Sequence, residues 1–405
     1  MDNDNDQPDP PPTERRGPDI ITGDVSLCQQ LGRTGPIGSG TIGMGCDTLA
    51  CNIGDENLNW RPLPDIEHPV IYVNMYRLRE IEGSDRIEQI GYSWLKHVFS
   101  TEPDERDGCG RTCQPSERGD EMGPGCRDAY LAEQFWACDL GPRSSVNPYM
   151  GALPGGESLG QSEDCATNYP SRNHLAHVHT ELSHRVQIKE QDLGSGRFFA
   201  EGGYISAHEY REGNGNQNNN VSFREIVVEG PDESGTYTFT EAGEPVTEAP
   251  AVFAWEGAES STLEPEPAVD GYAIVAFKVT PRGDGLWHYE YAIQNVNLDR
   301  GIRLFRLPLP AEVQISSAEF QSPWAHAPEL HADNYSDAPW QFSNTGEGIE
   351  WATDPYAVDR LSNAIRWGTL YNFRFDANRP PQRTEAVVGY FKTEESESVS
   401  VLGPG

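Results

Sequence analysis

The side chains best suited to chemistry lie in one stretch, Asn173 to His184 (NHLAHVHTELSH), which holds His174, His177, His179 and His184. Neutral imidazole binds zinc and copper well, and catalytic sites of both metals use two or three such rings. His177 and His179 are two apart, so a strand would turn both toward one side. A third ligand would come from His174, Glu181, His184 or His208, giving a zinc hydrolase or copper oxidase centre. The same HxH spacing is common in polar, histidine-rich surface loops, which is the plain alternative. A second chemistry is sugar stacking. The chain has nine Trp and sixteen Tyr, and Trp255, Trp324, Trp340 and Trp351 lie near turn-like segments where an indole face could meet a glycan. The competing use of such rings is to fill sheet cores.

Other motifs are weaker. Gly156 to Gly160 (GESLG) matches the GxSxG elbow at Ser158, but the elbow needs a buried strand before the serine and a helix after it, and ALPG and QSEDC stand there instead. Glu347 and Glu350 could be paired as in glycoside hydrolysis, yet among 64 acidic residues such a pair arises by chance. Asp2, Asp4 and Asp6 imitate the start of a calcium loop, with Gln7 where the turn needs Gly and Thr13 where a bidentate Glu belongs. Asn214 to Asn220 (NGNQNNN) reads as a turn or edge.

The elements that would position these groups are strands. Val70 to Leu78 alternates with period near 2, and Gly271 to Val279 and Leu286 to Val296 flank Pro281 to Gly285 (PRGDG), a hairpin signal. In that second strand Trp287, Tyr289, Tyr291 and Ile293 share one face, while His288, Glu290 and Gln294 share the other, predicting one buried and one wet side. Ile365, Trp367, Thr369, Tyr371, Phe373 and Phe375 alternate likewise. Arg86 to Ser100 is ambiguous between a strand pair and a short helix. The fold class is therefore all-β: an antiparallel β-sandwich in the C-terminal half and a disulfide-braced, loop-rich β domain in the N-terminal half.

Cysteine use divides the 405 residues. Cys28, Cys46, Cys51, Cys109, Cys113, Cys126, Cys138 and Cys165 all precede the histidine stretch, are even in number and include no CxxC, which predicts disulfides in an oxidising compartment. Cys46 with Cys51, and Cys109 with Cys113, are the pairs that local loops close most easily. The expected organisation is an acidic, proline-rich tail over residues 1–18, a cysteine-bearing domain over 19–170, a cysteine-free sandwich over 171–396, and a flexible end over 397–405.

Composition excludes some roles. The net charge of -34 repels phosphate backbones, so nucleic acid is not expected as a partner. No run of about 18 apolar residues exists to insert in a membrane. The N-terminus lacks a charged-then-apolar leader, so secretion would require one already removed.

Several blocks, among them PDIITGDVSLCQQLG, HPVIYVNMYRL, RIEQIGYSWLKHVF, EGNGNQNNNVSFREIVV, YEYAIQNVNLDRG and IRWGTLYNFRFDANRPP, resemble a family of secreted β-rich, cysteine-bearing proteins of planctomycete-type bacteria that has no established activity. The resemblance implies an extracellular, all-β protein and assigns no catalytic residue. The expectation is then a secreted or cell-surface protein with a binding or structural role, its partners glycan or further copies of itself. The alternative is a secreted metalloenzyme using His174 to His184. No cofactor is certain; structural calcium, or copper or zinc at the histidines, would suit the composition.

Overall fold

The computed structural model describes residues 17–61, 65, 69–97, 106–133, 143–151, 182, 185–213, 215–324, 335–345 and 348–405. They form three stacked β-layers, as expected of an all-β chain. The first is an eleven-stranded sheet whose main strands are Ile20–Thr34, Thr41–Asn52, Val70–Ile81, Ser84–Tyr92, Arg197–Ile205, Val221–Glu229 and Thr238–Val246. It curls until Ser84–Tyr92 packs near Val186–Lys189, enclosing a core that includes Ile20, Val25, Ile42, Met44, Trp60 and Val73. The middle layer holds Glu259–Leu263, Ala273–Gly283, Leu286–Asn295, Thr369–Ala377 and Ile315–Gln321, in that order. The outer layer holds Gln341–Asn344, Gly348–Ala352, Ile302–Pro308, Pro381–Tyr390 and Ser396–Pro404.

The middle and outer layers form the antiparallel sandwich that the sequence predicts. Phe277, Tyr289, Tyr291, Phe305, Trp351 and Phe373 fill the space between them, each worth about 1.5–3 kcal/mol of burial for an aromatic or large aliphatic side chain. The hairpin turns at Asp284 (φ 51°) and Gly285 (φ 78°), the two left-handed positions that an Asp-Gly loop supplies. Arg86 to Ser100 resolves, as far as it is described, into strand: the end of Ser84–Tyr92, then Lys96–His97.

Four expectations are corrected. First, a boundary at residue 170 would cut the first sheet, because Val186–Lys189, Arg197–Ile205, Val221–Glu229 and Thr238–Val246 all pair within it. Cysteine distribution marks where staples are needed, whereas strand partners are chosen by hydrogen bonding and register. Second, the end over 397–405 is no loose tail: Ser396–Pro404 pairs with Pro381–Tyr390 along its whole length, with Val399 and Val401 buried. Third, the disulfides are Cys28–Cys46, Cys51–Cys109 and Cys113–Cys126. Cys46 and Cys51 share the strand Thr41–Asn52, whose rise of about 3.4 Å per residue holds them about 17 Å apart. Cys109 and Cys113 each face a different strand partner. Cys138 and Cys165 lie outside the described residues. Fourth, the wet face expected at His288, Glu290 and Gln294 is buried, with 1%, 1% and 0% exposure, because the first layer covers it.

That covered face explains how the layers join. Tyr76, Phe199, Phe223, Trp255, Ile274 and Leu370 supply apolar contact between them, and polar side chains of the two layers hydrogen-bond across the seam. Glu201 accepts from Asn74 Nδ2 (2.7 Å), Tyr76 Oη (2.9 Å), the Ala251 N–H (2.6 Å) and Gln294 Nε2 (2.8 Å). Arg86 pairs with Glu290 through Nε at 2.7 Å and Nη2 at 3.2 Å. Gln89 and Asn372 cross the seam to the Gly368 and Ile87 carbonyls, and Gln89 also accepts the Leu370 N–H. A buried polar group left unmatched costs about 1–3 kcal/mol, so these cross-seam bonds favour the observed docking register.

Candidate ligand pocket

A pocket of about 450 Å³ opens where the three layers meet at one end, within the size range of small-molecule sites. Its floor is built on Arg143, in the short turn Arg143–Ser145. The guanidinium is buried and donates to the carbonyls of Ser93 (2.8 Å), Gly368 (3.0 Å) and Val73 (3.2 Å) and to Asn74 Oδ1 (2.6 Å). It sits 5.1 Å from each of the Tyr72, Tyr92 and Trp367 rings, a favourable cation–π cage. Burial pulls the Arg143 pKa down from its ordinary value and pushes the Tyr72 phenol up. Tyr72 meets Trp367 edge-on at 5.3 Å and lies across Gly203, its cross-strand partner. A Cβ at Gly203 would fall 2.3 Å from the Tyr72 ring, which is why the strand carries Gly there.

The wall comes from the segment between the outer and middle layers. Tyr371 donates to Asn363 Oδ1 (2.5 Å) and the Ala364 carbonyl (3.0 Å), fixing the loop beside Arg366. Arg366 Nη2 donates to the carbonyls of Arg360 (2.9 Å) and Ser362 (3.0 Å). Its guanidinium lies 3.8 Å from the Tyr335 ring and 4.7 Å from the Phe391 ring. The rim carries Tyr356, 45% exposed and edge-on to Phe391 at 5.5 Å, with Arg360 and Lys392 also exposed. Lys392 Nζ pairs with Asp299 at 2.7 Å.

None of the predicted site residues that are described lines this pocket. His174, His177, His179, His184, Glu181, Ser158, Glu347, Asp2, Asp4 and Asp6 fall outside the described residues. His208, the other offered metal ligand, accepts the Asn59 N–H at Nδ1 (3.2 Å), and Glu350 is paired with Arg306. Of the tryptophans, Trp255, Trp340 and Trp351 are corrected from stacking platforms to core, with 2%, 4% and 1% exposure; in sheets this aromatic, their rings pack against Phe and Tyr. Trp324 is half-buried, with the Lys189 ammonium 4.6 Å from its ring. Among the described residues no group of three or more His, Cys, Asp or Glu side chains is placed to hold a metal ion.

One histidine does sit among carboxylates. His288 Nδ1 is 2.7 Å from Asp376 and Nε2 is 3.2 Å from Glu290, under the first layer and away from the pocket. Both ring nitrogens are occupied and the site is closed to solvent, so this group is structural.

The pocket residues were invisible to motif reading. Tyr92, Arg143, Tyr356, Arg366 and Lys392 come from segments up to 300 residues apart. Only the sheet pairing brings them together.

No family model matches the chain, and no curated protein matches it in sequence. Among solved structures it is similar to the C-terminal domain of the Streptococcus pyogenes antigen I/II-family protein AspA, with 8% identity, 97% of this chain and 100% of that chain covered, and a TM-score of 0.20. It is similar to the collagen adhesin (CNA) from S. aureus at 7% identity, 96% and 97% coverage and a TM-score of 0.21. The C-terminal domain of the Streptococcus agalactiae AgI/II polypeptide BspA follows at 9% identity, 92% and 98% coverage and a TM-score of 0.19. Likeness at these TM-scores carries no argument about fold or role.

Proposed function

We propose that this is an extracellular binding protein that holds a saccharide in the pocket between its layers. Three disulfides suit an oxidising compartment, and among the described residues no helix is long and apolar enough to cross a membrane. The observation that carries the reading is the pocket itself: about 450 Å³ of space beside the exposed Tyr356 and the half-buried Tyr335, with a polar wall at Ser336, Ser362 and Asn363. Sugars present one apolar face and a rim of hydroxyls, and an aromatic ring beside hydroxyl and amide groups complements both. Among the described lining residues the one carboxylate, Asp299, is tied to Lys392, so the carboxylate pair used in glycoside hydrolysis is not assembled there. Binding is the activity this supports.

The test is a screen against immobilised and soluble polysaccharides followed by calorimetry. Tyr356→Ala should weaken binding about tenfold, on the order of 1 kcal/mol for one ring contact, with the melting temperature unchanged. Wild-type affinity in that variant would refute the placement of the sugar.

A further inference from the structure

The charge around the pocket is opposite to that of the chain. Overall 64 acidic residues stand against 30 basic ones, yet among the described residues Arg143, Arg360, Arg366 and Lys392 line the pocket against one carboxylate, that of Asp299. Asp299 answers Lys392. Among the described residues none of the three arginines forms an ion pair: Arg143 donates its hydrogen bonds to neutral oxygens, Arg366 donates to two carbonyls through Nη2, and Arg360 is exposed. Many arginines elsewhere are matched to acid, as at Arg86 with Glu290, Arg300 with Asp270 and Arg224 with Asp24, although Arg106, Arg111, Arg127 and Arg303 form no ion pair among the described residues; what sets the pocket apart is that two such arginines, Arg360 and Arg366, line one cavity. With so many carboxylates on the chain, Arg360 and Arg366, which form no ion pair among the described residues, are placed to take an anionic ligand as counter-ion. Stacking fixes Arg366 between Tyr335 and Phe391, so little side-chain entropy is lost when its remaining N–H groups donate. Walls of low dielectric strengthen that attraction, and a net charge of -34 elsewhere confines it to this place.

Resting on the saccharide reading, we infer that the ligand is the anionic unit of an acidic polysaccharide. Its carboxylate or sulfate is held by Arg360 and Arg366, while the sugar ring lies against Tyr356. Guanidinium groups match both anions through paired N–H donors.

The experiment is calorimetry of the full chain with three oligosaccharides: an oligogalacturonate, a sulfated glucan oligomer and a neutral cello-oligosaccharide. Each is run at low and physiological salt, with wild type, Arg360→Ala and Arg366→Lys. At least one charged oligomer should bind at least tenfold more tightly than the neutral one and weaken as salt rises. Arg360→Ala should lower that affinity about tenfold, as loss of a charge-assisted hydrogen bond does. Arg360 is exposed, so this variant folds normally. Preference for the galacturonate or for the sulfated glucan identifies carboxylate or sulfate as the source of charge. If the neutral oligomer binds as tightly as both charged ones, or if neither arginine variant changes affinity, the acidic class is overturned while the saccharide reading stands. If none of the three binds while the wider polysaccharide screen is also blank, both fall.

Discussion

Glu209 should make this protein less stable as pH rises through neutrality. It lies in the helix Ala207–Glu212, capped by Ser206, with its carboxylate turned inward and wholly buried. Burial, and then repulsion from the neighbouring Asp19, push its pKa up from 4.5 to about 8. The Asn220 amide (2.7 Å) and the Ile20 N–H (2.9 Å) offset only part of this. Between those two values the folded chain holds a proton that the unfolded chain has released, so ionisation disfavours folding. The contribution is fully present below about pH 4.5 and is lost by about pH 8. The gap is about 3.5 pH units, which at 1.36 kcal/mol per unit is about 5 kcal/mol. Glu209→Gln keeps the shape and removes the titration; whatever its amide loses in hydrogen bonding is the same at every pH. Urea unfolding of wild type and variant at about pH 4.5, 6.5 and 8.5 therefore isolates the effect. The difference between them should move by several kcal/mol in favour of the variant over that range. A difference constant to within about 1 kcal/mol would show that Glu209 ionises alike in both states and would refute the account of this site.

Two further outcomes follow from the core. Replacing Cys51 and Cys109 together by Ser opens a loop of 58 residues and should cost about 4 kcal/mol by chain entropy, against about 3 kcal/mol for the pair Cys113 and Cys126 with its loop of 13; denaturant midpoints that reverse this order would count against it. Trp351→Ala should cost about 3–5 kcal/mol and lower the melting temperature, while its affinity for saccharide, measured where the variant is still folded, stays as in wild type.

What the sequence disclosed and what it hid have one physical origin. Strand periodicity is local, so the alternation at Tyr289, Tyr291 and Ile293 and the Asp-Gly turn reveal the hairpin without reference to anything else. Which layer covers the opposite face is not local. His288, Glu290 and Gln294 have the composition of a solvated face, and nothing within their own strand says that Arg86 and Glu201 stand opposite them. The tryptophans misled for the same reason: a turn-like neighbourhood at Trp340 or Trp351 does not reveal that the ring points inward. Cysteine spacing suggested short loops, but covalent partners in a sheet are set by which strands lie side by side, and Cys28 meets Cys46 because Gln29 is paired with Gly45.

The pocket carries this reasoning to function. Arg143 bonds Ser93, Val73 and Asn74 on the first layer and Gly368 at the start of the middle-layer strand Thr369–Ala377, and Trp367 donates back to the Arg143 carbonyl at 3.2 Å. The floor of the pocket is thus the same set of contacts that locks the layers in register. Its arginine cannot be displaced without leaving several buried polar groups unmatched, each at a cost of about 1–3 kcal/mol. Docking of the layers therefore fixes the pocket before any ligand arrives, and little reorganisation remains to oppose binding. A ligand seated against Arg366 and Tyr356 touches the loop over 356–366, which runs on into Trp367 and Gly368, the residues bonded to the floor. It will stabilise the docked arrangement in proportion to its own affinity.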